Sequence, residues 1–242
     1  MRRYNVQNFV YVRRRPFHPQ RLFEFIYDRF ILQQPVEEEE NDDEGESMPD
    51  ADSDTEEAEE DSDEEMEEVE NPLEIPEPEV VIANKKADPL LRRLFRSKGE
   101  YWLATRPGRA GEWSQAGAML TLRGGRRWFC TIDKSEYETG SPEIDAMVTL
   151  DIEKGGAWGD RRQELVFIGE GLDVENLEAR LDRCLLTDQE WKTWEDIMKA
   201  NPSDVMGGTR EDLSLEGRLA DVFDDGFPEW DDEEEDHTGH SH

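Results

Sequence analysis

The residue types best suited to chemistry close the sequence, where His237, His240 and His242 follow Asp236. Imidazoles beside carboxylates are donors for Zn²⁺, Ni²⁺ or Cu²⁺. A tail with no periodic signal, however, supplies neither fixed geometry nor neighbours to orient the rings. The expectation is weak, exchangeable binding of Zn²⁺ or another divalent metal at these three histidines, with no cofactor elsewhere. An inert polar tail is the plainer reading. His18 is the remaining histidine, and Pro16 and Pro19 make it a turn residue rather than a base. Cys130 and Cys184 lie far apart without CxxC spacing, which gives neither a disulfide framework nor a zinc knuckle. Neither has an evident partner to activate it as a nucleophile. Asn84, Lys85 and Asp88 approach a guanine-reading NKxD, but the Asp falls one residue too far along. No GxxxxGK followed by Ser or Thr occurs, and no GxGxxG. The sequence therefore predicts no catalytic residues and no nucleotide cofactor, and the chain is expected not to be an enzyme.

Charge locates the folded part. The formal net charge is −34, yet Glu37 to Glu79 holds 25 acidic residues with no Lys or Arg, and Asp221 to Asp236 holds 10 more. Without those two runs the chain is nearly neutral. Dense like charge with little apolar surface cannot offset the entropy of ordering. The reading is thus residues 1–35 and 85–200 as a single domain, 36–84 as a disordered acidic insertion, and 201–242 as an acidic, His-ended disordered tail. A domain tolerates such an insertion because loop-closure entropy grows only logarithmically with length. The net charge disfavours nucleic acid. No apolar run approaches the roughly 20 residues of a membrane span, so the chain is expected to be soluble and cytoplasmic, with a nuclear location left open. The acidic segment Glu37 to Glu79 could also attract basic proteins over distance.

The elements that must position these residues follow from periodicity. Val6 to Arg13 alternates as a strand, with Arg13 to Arg15 as its solvated rim, and Pro19 opens a helix carrying Leu22, Phe23, Ile26, Tyr27 and Phe30. Asp88-Pro89 predicts a second helix with Leu90, Leu91, Leu94 and Phe95 on one face, stopped by Arg96, Lys98 and Gly99. Tyr101 to Arg106 alternates as a central strand, and Pro107-Gly108 and Gly111 turn the chain into another near Trp113. Gly124-Gly125 suits a tight hairpin between strands at Ala118 to Leu122 and Arg127 to Ile132. Residues 133–160 have no clear assignment, although Ile144, Met147, Val148, Leu150 and Ile152 allow a short excursion. Gln163 to Ile168 reads as a strand buried on both faces. Asp173 caps a helix bearing Leu177, Leu181, Cys184 and Leu185. Thr187 and Glu190 then form a capping box for a helix bearing Trp191, Trp194 and Ile197. The fold class expected is α+β, an antiparallel sheet with helices packed on one face.

Four blocks carry a family resemblance: RRRPFHPQRLFEF from Arg13, LFRSKGEYWLATRPGRAGEWSQAGAMLTL from Leu94, WGDRRQELVFIGEGLD from Trp158 and CLLTDQE from Cys184. In this order they resemble the CobW C-terminal domain, the carboxy-terminal half of the CobW-type P-loop GTPases. The resemblance implies a compact α+β unit with an antiparallel sheet. It also implies a noncatalytic regulatory or protein-interaction domain of a GTP-dependent metallochaperone that handles zinc or cobalt. The implied partners are a CobW-type GTPase domain, in cis or in trans, and a metal-requiring client. The family's GTPase motifs and its CxCC metal motif belong to the amino-terminal half and match nothing here. The alternative is an acidic interaction protein that holds basic partners through Glu37 to Glu79.

Overall fold

Val6–Arg13 (β1) alternates side chains to opposite faces until Pro16 ends it, and Pro19 then starts Pro19–Ile26 (α1). In the computed structural model, which describes residues 6–33, 76–200, 214–228 and 230, the elements continue in order. They are Ile31–Gln33 (β2), Pro78–Ala87 (α2), Leu94–Tyr101 (β3), Arg109–Ala116 (β4), Met119–Arg127 (β5), Lys134–Tyr137 (α3), Pro142–Lys154 (α4), Gln163–Glu170 (β6), Val174–Asp182 (α5), Asp188–Lys199 (α6) and Leu215–Phe223 (α7). The six strands form one sheet in the order β1-β6-β3-β4-β5-β2, antiparallel throughout except for β2 against β5. The protein is α+β. Among the described residues no helix is long and apolar enough to cross a membrane.

One face of the sheet is sealed. Tyr11, Leu165, Phe167, Tyr101, Trp113 and Leu120 point into a core with Leu22, Phe25 and Ile26 of α1 and Leu177 and Leu181 of α5. The polar residues on this face satisfy one another: the Trp113 indole donates to Ser97 Oγ at 2.8 Å, Ser97 Oγ to Gln115 Oε1 at 2.9 Å, and Gln115 Nε2 to the Gly117 carbonyl at 2.7 Å. The hydrogen bonds offset the desolvation of these three side chains. A second cluster at one end of the sheet gathers Trp102, Trp128 and Trp194 with Leu219 and Phe223 of α7.

Several expectations need correction. The helix expected from Asp88-Pro89 is a short turn leading into β3. Asp88 Oδ1 does accept from the Leu90 and Leu91 amides at 2.9 and 3.2 Å, but the sheet takes the residues beyond. Leu94 registers with Gly169 and Arg96 with Ile168, and a bulge absorbs Phe95. The central strand accordingly lies at Leu94–Tyr101 rather than Tyr101 to Arg106. Trp102 to Ala104 is instead a fully buried crossing segment, which exchanges bonds with Phe17: Phe17 N to Trp102 O at 2.8 Å and Ala104 N to Phe17 O at 3.0 Å. α2 forms where no periodicity was read, because it buries only Val81 and the stem of Lys85. The Gly124-Gly125 hairpin does not exist: β5 runs straight through both, and Phe129–Thr131 is a 3₁₀ turn. Gly124 is there for proximity, since a Cβ would lie 2.8 Å from Trp230. The tight turn sits at Gly117, with φ of 59°, between β4 and β5. Gln163–Glu170 is buried on one face only, Leu165 and Phe167 inward and Val166 and Ile168 half-exposed. Residues 133–160 hold α3 and α4. Within the expected tail, Leu215–Phe223 is a helix with Leu219 and Phe223 buried.

Asp88 joins three elements. Its carboxylate, almost wholly buried, accepts from Arg29 Nε at 3.1 Å and from Arg180 Nη1. Burial alone would raise its pKa, but the Arg180 hydrogen bond and the Leu90 amide outweigh that and hold it below the usual carboxylate value. Asp88→Ala, which removes the acceptor shared by the partly exposed Arg29 and Arg180 while Arg29 keeps Asp28, should cost about 1.5–3 kcal/mol in urea unfolding. A folded pKa below the unfolded one gives stability that is present above about pH 4 and lost below it. The gap between wild-type and variant stability should therefore shrink as the pH falls below about 4.

Candidate interaction surface

The uncovered face of the sheet begins with alternation in β1. Val6, Val10 and Val12 share one side of the strand and are 52, 48 and 45% exposed. Register extends the row across the sheet: Val10 pairs with Val166, which pairs with Lys98, and Asn8 pairs with Ile168, which pairs with Arg96. Arg96 and Lys98 are exposed and take part in no ion pair with any described residue. The result is a strip of exposed valines, interrupted by Asn8 and bordered by Glu170 and Glu164, with the cations Arg96 and Lys98 beyond Ile168 and Val166. Contiguous exposed apolar surface with a polar rim is the signature of an interaction site. β1 is also the edge strand. It is eight residues long, regular in register and without a charge between Val6 and Val12, so it lacks the usual devices that blunt an edge. The sequence contained the alternation, but not which face α1 and α5 would occupy.

The residues that could do chemistry are engaged elsewhere. Asn84 Nδ2 donates to the Asp28 carbonyl at 3.0 Å, and Lys85 Nζ to the Leu91 and Leu94 carbonyls at 3.0 Å each. With Asp88 committed to Arg29 and Arg180, the NKKAD stretch is structural. Asp160, fully buried, accepts from the Phe129 and Cys130 amides and from Arg126, which together hold it ionised below its ordinary pKa against the cost of burial. Cys130 Sγ lies 3.1 Å from Arg161 Nη1, yet burial pushes the thiol up, so it rests protonated. Burial likewise pushes Cys184 up to about 11. No local sequence pattern marks Gln163 as a site residue. Its fully buried amide donates to the carbonyls of Arg15 and Trp102 and accepts from the Trp102 amide. His237, His240 and His242 lie outside the described residues. Among those described, no group of three or more His, Cys, Asp or Glu could hold a metal.

His18 lines a cleft of about 340 Å³ with Thr187, Glu190, Thr193 and Phe223. Glu190 is fixed by two bonds from Arg21, at 2.7 and 2.9 Å, and by the Thr187 amide, and the Arg21 contact lowers its carboxyl to about 2. His18 Nε2 stands 3.9 Å from Glu190 Oε1, while Nδ1 is buried without a partner among the described residues. Burial holds the imidazole below its ordinary pKa and Arg21 adds to this, against the opposing pull of Glu190, Glu24 and Asp224. A depressed histidine leaves stability unchanged above about pH 6.5 and lowers it below, because only the unfolded chain takes up the proton. The melting temperature should fall between pH 7.5 and 5.5. His18→Asn should flatten that slope in the same thermal scans.

Comparison with known proteins bears on residues 69–185, which match the model of the cobalamin synthesis protein cobW C-terminal domain. The chain is similar to the zinc-regulated GTPase metalloprotein activator 1 of Dictyostelium discoideum, at 35% identity over 120 residues. That alignment takes in 46% of this chain and 24% of the relative, so it spans about a quarter of the relative's length. Crystal structures of the Zn(II)-bound YjiA GTPase from E. coli and of a triple mutant of YjiA align with 75% of this chain and 30% of theirs, at 10% identity and a TM-score of 0.35. A likeness that loose carries no argument. The matched residues run from before α2 to just past α5, and β1 and β2, at the two sheet edges, fall outside them. From α2 through α5, the chain is similar to the CobW C-terminal domain.

Proposed function

We propose that this chain acts as the noncatalytic docking and regulatory domain of a CobW-type, GTP-dependent metallochaperone that handles zinc or cobalt. The observation that supports this most is the valine strip of β1 and β6 beside Arg96 and Lys98, a surface built to be covered by another protein. Its occupant in this reading is a GTPase domain of the CobW type, joined in cis or supplied in trans, with a metal-requiring client as a further partner. The functional groups elsewhere are held in structural ion pairs and hydrogen bonds, which suits recognition rather than turnover. Titration calorimetry with a purified CobW-type GTPase domain should register saturable binding. Val10→Lys combined with Val12→Lys should weaken it at least tenfold without changing the thermal midpoint by more than about 2 °C. Absence of binding by the wild type, or GTP hydrolysis by the chain alone, would overturn the reading.

The same reading makes His237, His240 and His242 a collector of divalent metal. Zn²⁺ titrated into the full chain should bind weakly and exchangeably. A chain ending at Asp236 should lose that binding, and identical isotherms would reject the tail site.

A further inference from the structure

The residues from Ser214 to Trp230 have the pattern of a peptide ligand. Ser214 Oγ caps α7 by accepting from the Gly217 amide, and the apolar side chains recur at Leu219, Phe223 and Phe227, four residues apart, with Trp230 three further on. Leu219 is fully buried, and Phe223 and Phe227 nearly so. Phe223 meets His18 edge-on at 5.8 Å, Phe227 meets Phe23 at 5.8 Å and Trp230 meets Tyr101 at 6.0 Å. A single cation locks the far end. Arg106, nearly buried, donates to both carboxylate oxygens of Asp225 at 3.0 and 3.2 Å and to the Phe227 and Pro228 carbonyls at 2.9 and 2.7 Å, with the Trp230 ring 4.6 Å from its guanidinium carbon. Thr105 Oγ1 donates to the same carboxylate.

The floor beneath this segment is imperfectly matched to it. Tyr101 Oη and His18 Nδ1, each against an aromatic ring of the segment, are buried without a partner among the described residues. The indole nitrogens of Trp102 and Trp128, in the cluster that Leu219 and Phe223 complete, are unpartnered too. This contrasts with the Ser97, Trp113 and Gln115 chain under α1 and α5, where every donor is answered. Tyr101, Trp102, Trp128 and the Arg106 lock belong to residues 69–185, whereas His18, Phe23 and the Ser214 to Trp230 segment lie outside the matched region.

We propose that this trough is a docking groove for an amphipathic helix, and that the chain's own Ser214–Trp230 segment is its resident occupant, an autoinhibitory strap. The class of partner that would displace it is a short helix with large apolar residues at i and i+4, followed by a non-helical stretch that carries a carboxylate for Arg106 and then two aromatic rings. A partner bearing acceptors above Tyr101 and the indoles would gain bonds the strap does not make. Cis attachment gives the strap a high effective concentration, so a competitor acts only when the strap is loosened or the competitor is better matched. The groove lies on the helix-bearing side of the sheet, opposite the valine strip, and stands apart from the docking reading above.

The test uses the full chain with Leu219→Asp and Phe223→Asp, which evict the strap and leave the groove. The probe is a fluorescein-labelled peptide of Ser214 to Trp230. By anisotropy, the probe should bind this variant at least tenfold more tightly than it binds wild type, and adding Arg106→Ala should reverse that gain. Hydrogen exchange on the wild type should show α7 amides opening at least tenfold faster than those of β3 and β6. Equal protection of α7 and the sheet would overturn the proposal, because the segment would then be part of the indivisible core. So would cooperative loss of the sheet in the double variant. A folded double variant that binds the probe no better than wild type would also sink it.

Discussion

Everything in this fold depends on β1 lying in antiparallel register with β6. Eight residues from Val6 to Arg13 face Glu170 to Gln163 without a bulge, and just beyond the ladder the Gln163 amide fastens the Arg15 carbonyl 148 residues away. Once that register is set, Phe17 is delivered against Trp102 and Leu103, α1 falls over the buried face, and the Trp102 backbone is held on both sides by one glutamine. Closing so long a connection costs entropy that rises only slowly with length. Burial of Tyr11, Leu165 and Phe167 in the core offsets it, at about 25 cal/mol for each Å² of apolar surface. A one-residue slip would instead turn Tyr11 outward and the valines in.

How much of this the sequence revealed depended on whether local pattern and tertiary demand agreed. They agreed in β1, where alternation and Pro16 leave one solution, and in α6, where Thr187 and Glu190 form the reciprocal cap that their spacing predicts. They disagreed after Asp88. Leu90, Leu91, Leu94 and Phe95 have helical spacing, but pairing with β6 draws Leu94 and Arg96 into the sheet and leaves only the cap of the expected helix. Gly124-Gly125 shows a different limit. A glycine pair looks the same whether it turns the chain or makes room for a ring, and here Trp230, more than a hundred residues on, decides. The docked segment was hidden by composition, since Leu219, Phe223, Phe227 and Trp230 are scattered among carboxylates. The valine strip was legible as alternation but not as surface, because exposure depends on where other elements pack.

Electrostatics divides the described residues in a way the net charge conceals. Many basic side chains are paired: Arg13 with Asp182, Arg21 with Glu190, Arg106 with Asp225, and Arg162 with Asp151 and Glu164. These contacts pin helices to the sheet rather than present charge outward. Arg96 and Lys98 differ, because they stand on the open face with no described carboxylate to answer them. In a chain of formal charge −34, two such cations beside an apolar strip favour a partner whose contact surface is locally acidic. Repulsion between the two proteins' bulk charge is longer-ranged than this contact, and it is screened within about 8 Å at physiological ionic strength. Association at the strip should therefore tighten with moderate salt before the direct pairs are weakened.

Two covers on the helix-bearing side of the sheet differ in how completely the polar groups beneath them are satisfied. Under α1 and α5 each donor of the Ser97, Trp113 and Gln115 chain has its acceptor, so separating those helices would expose apolar surface and break bonds together. Under Ser214 to Trp230 the apolar contacts are as close, but four buried polar atoms gain nothing from the cover. A hydrogen bond left unmade inside a protein costs more than a made one contributes. The cover is consequently less completely satisfied than α1 and α5 over the Ser97, Trp113 and Gln115 chain. Local opening follows the smallest free-energy gap rather than the largest surface, so α7 and the Arg106 lock should open before the β1 to β6 ladder does.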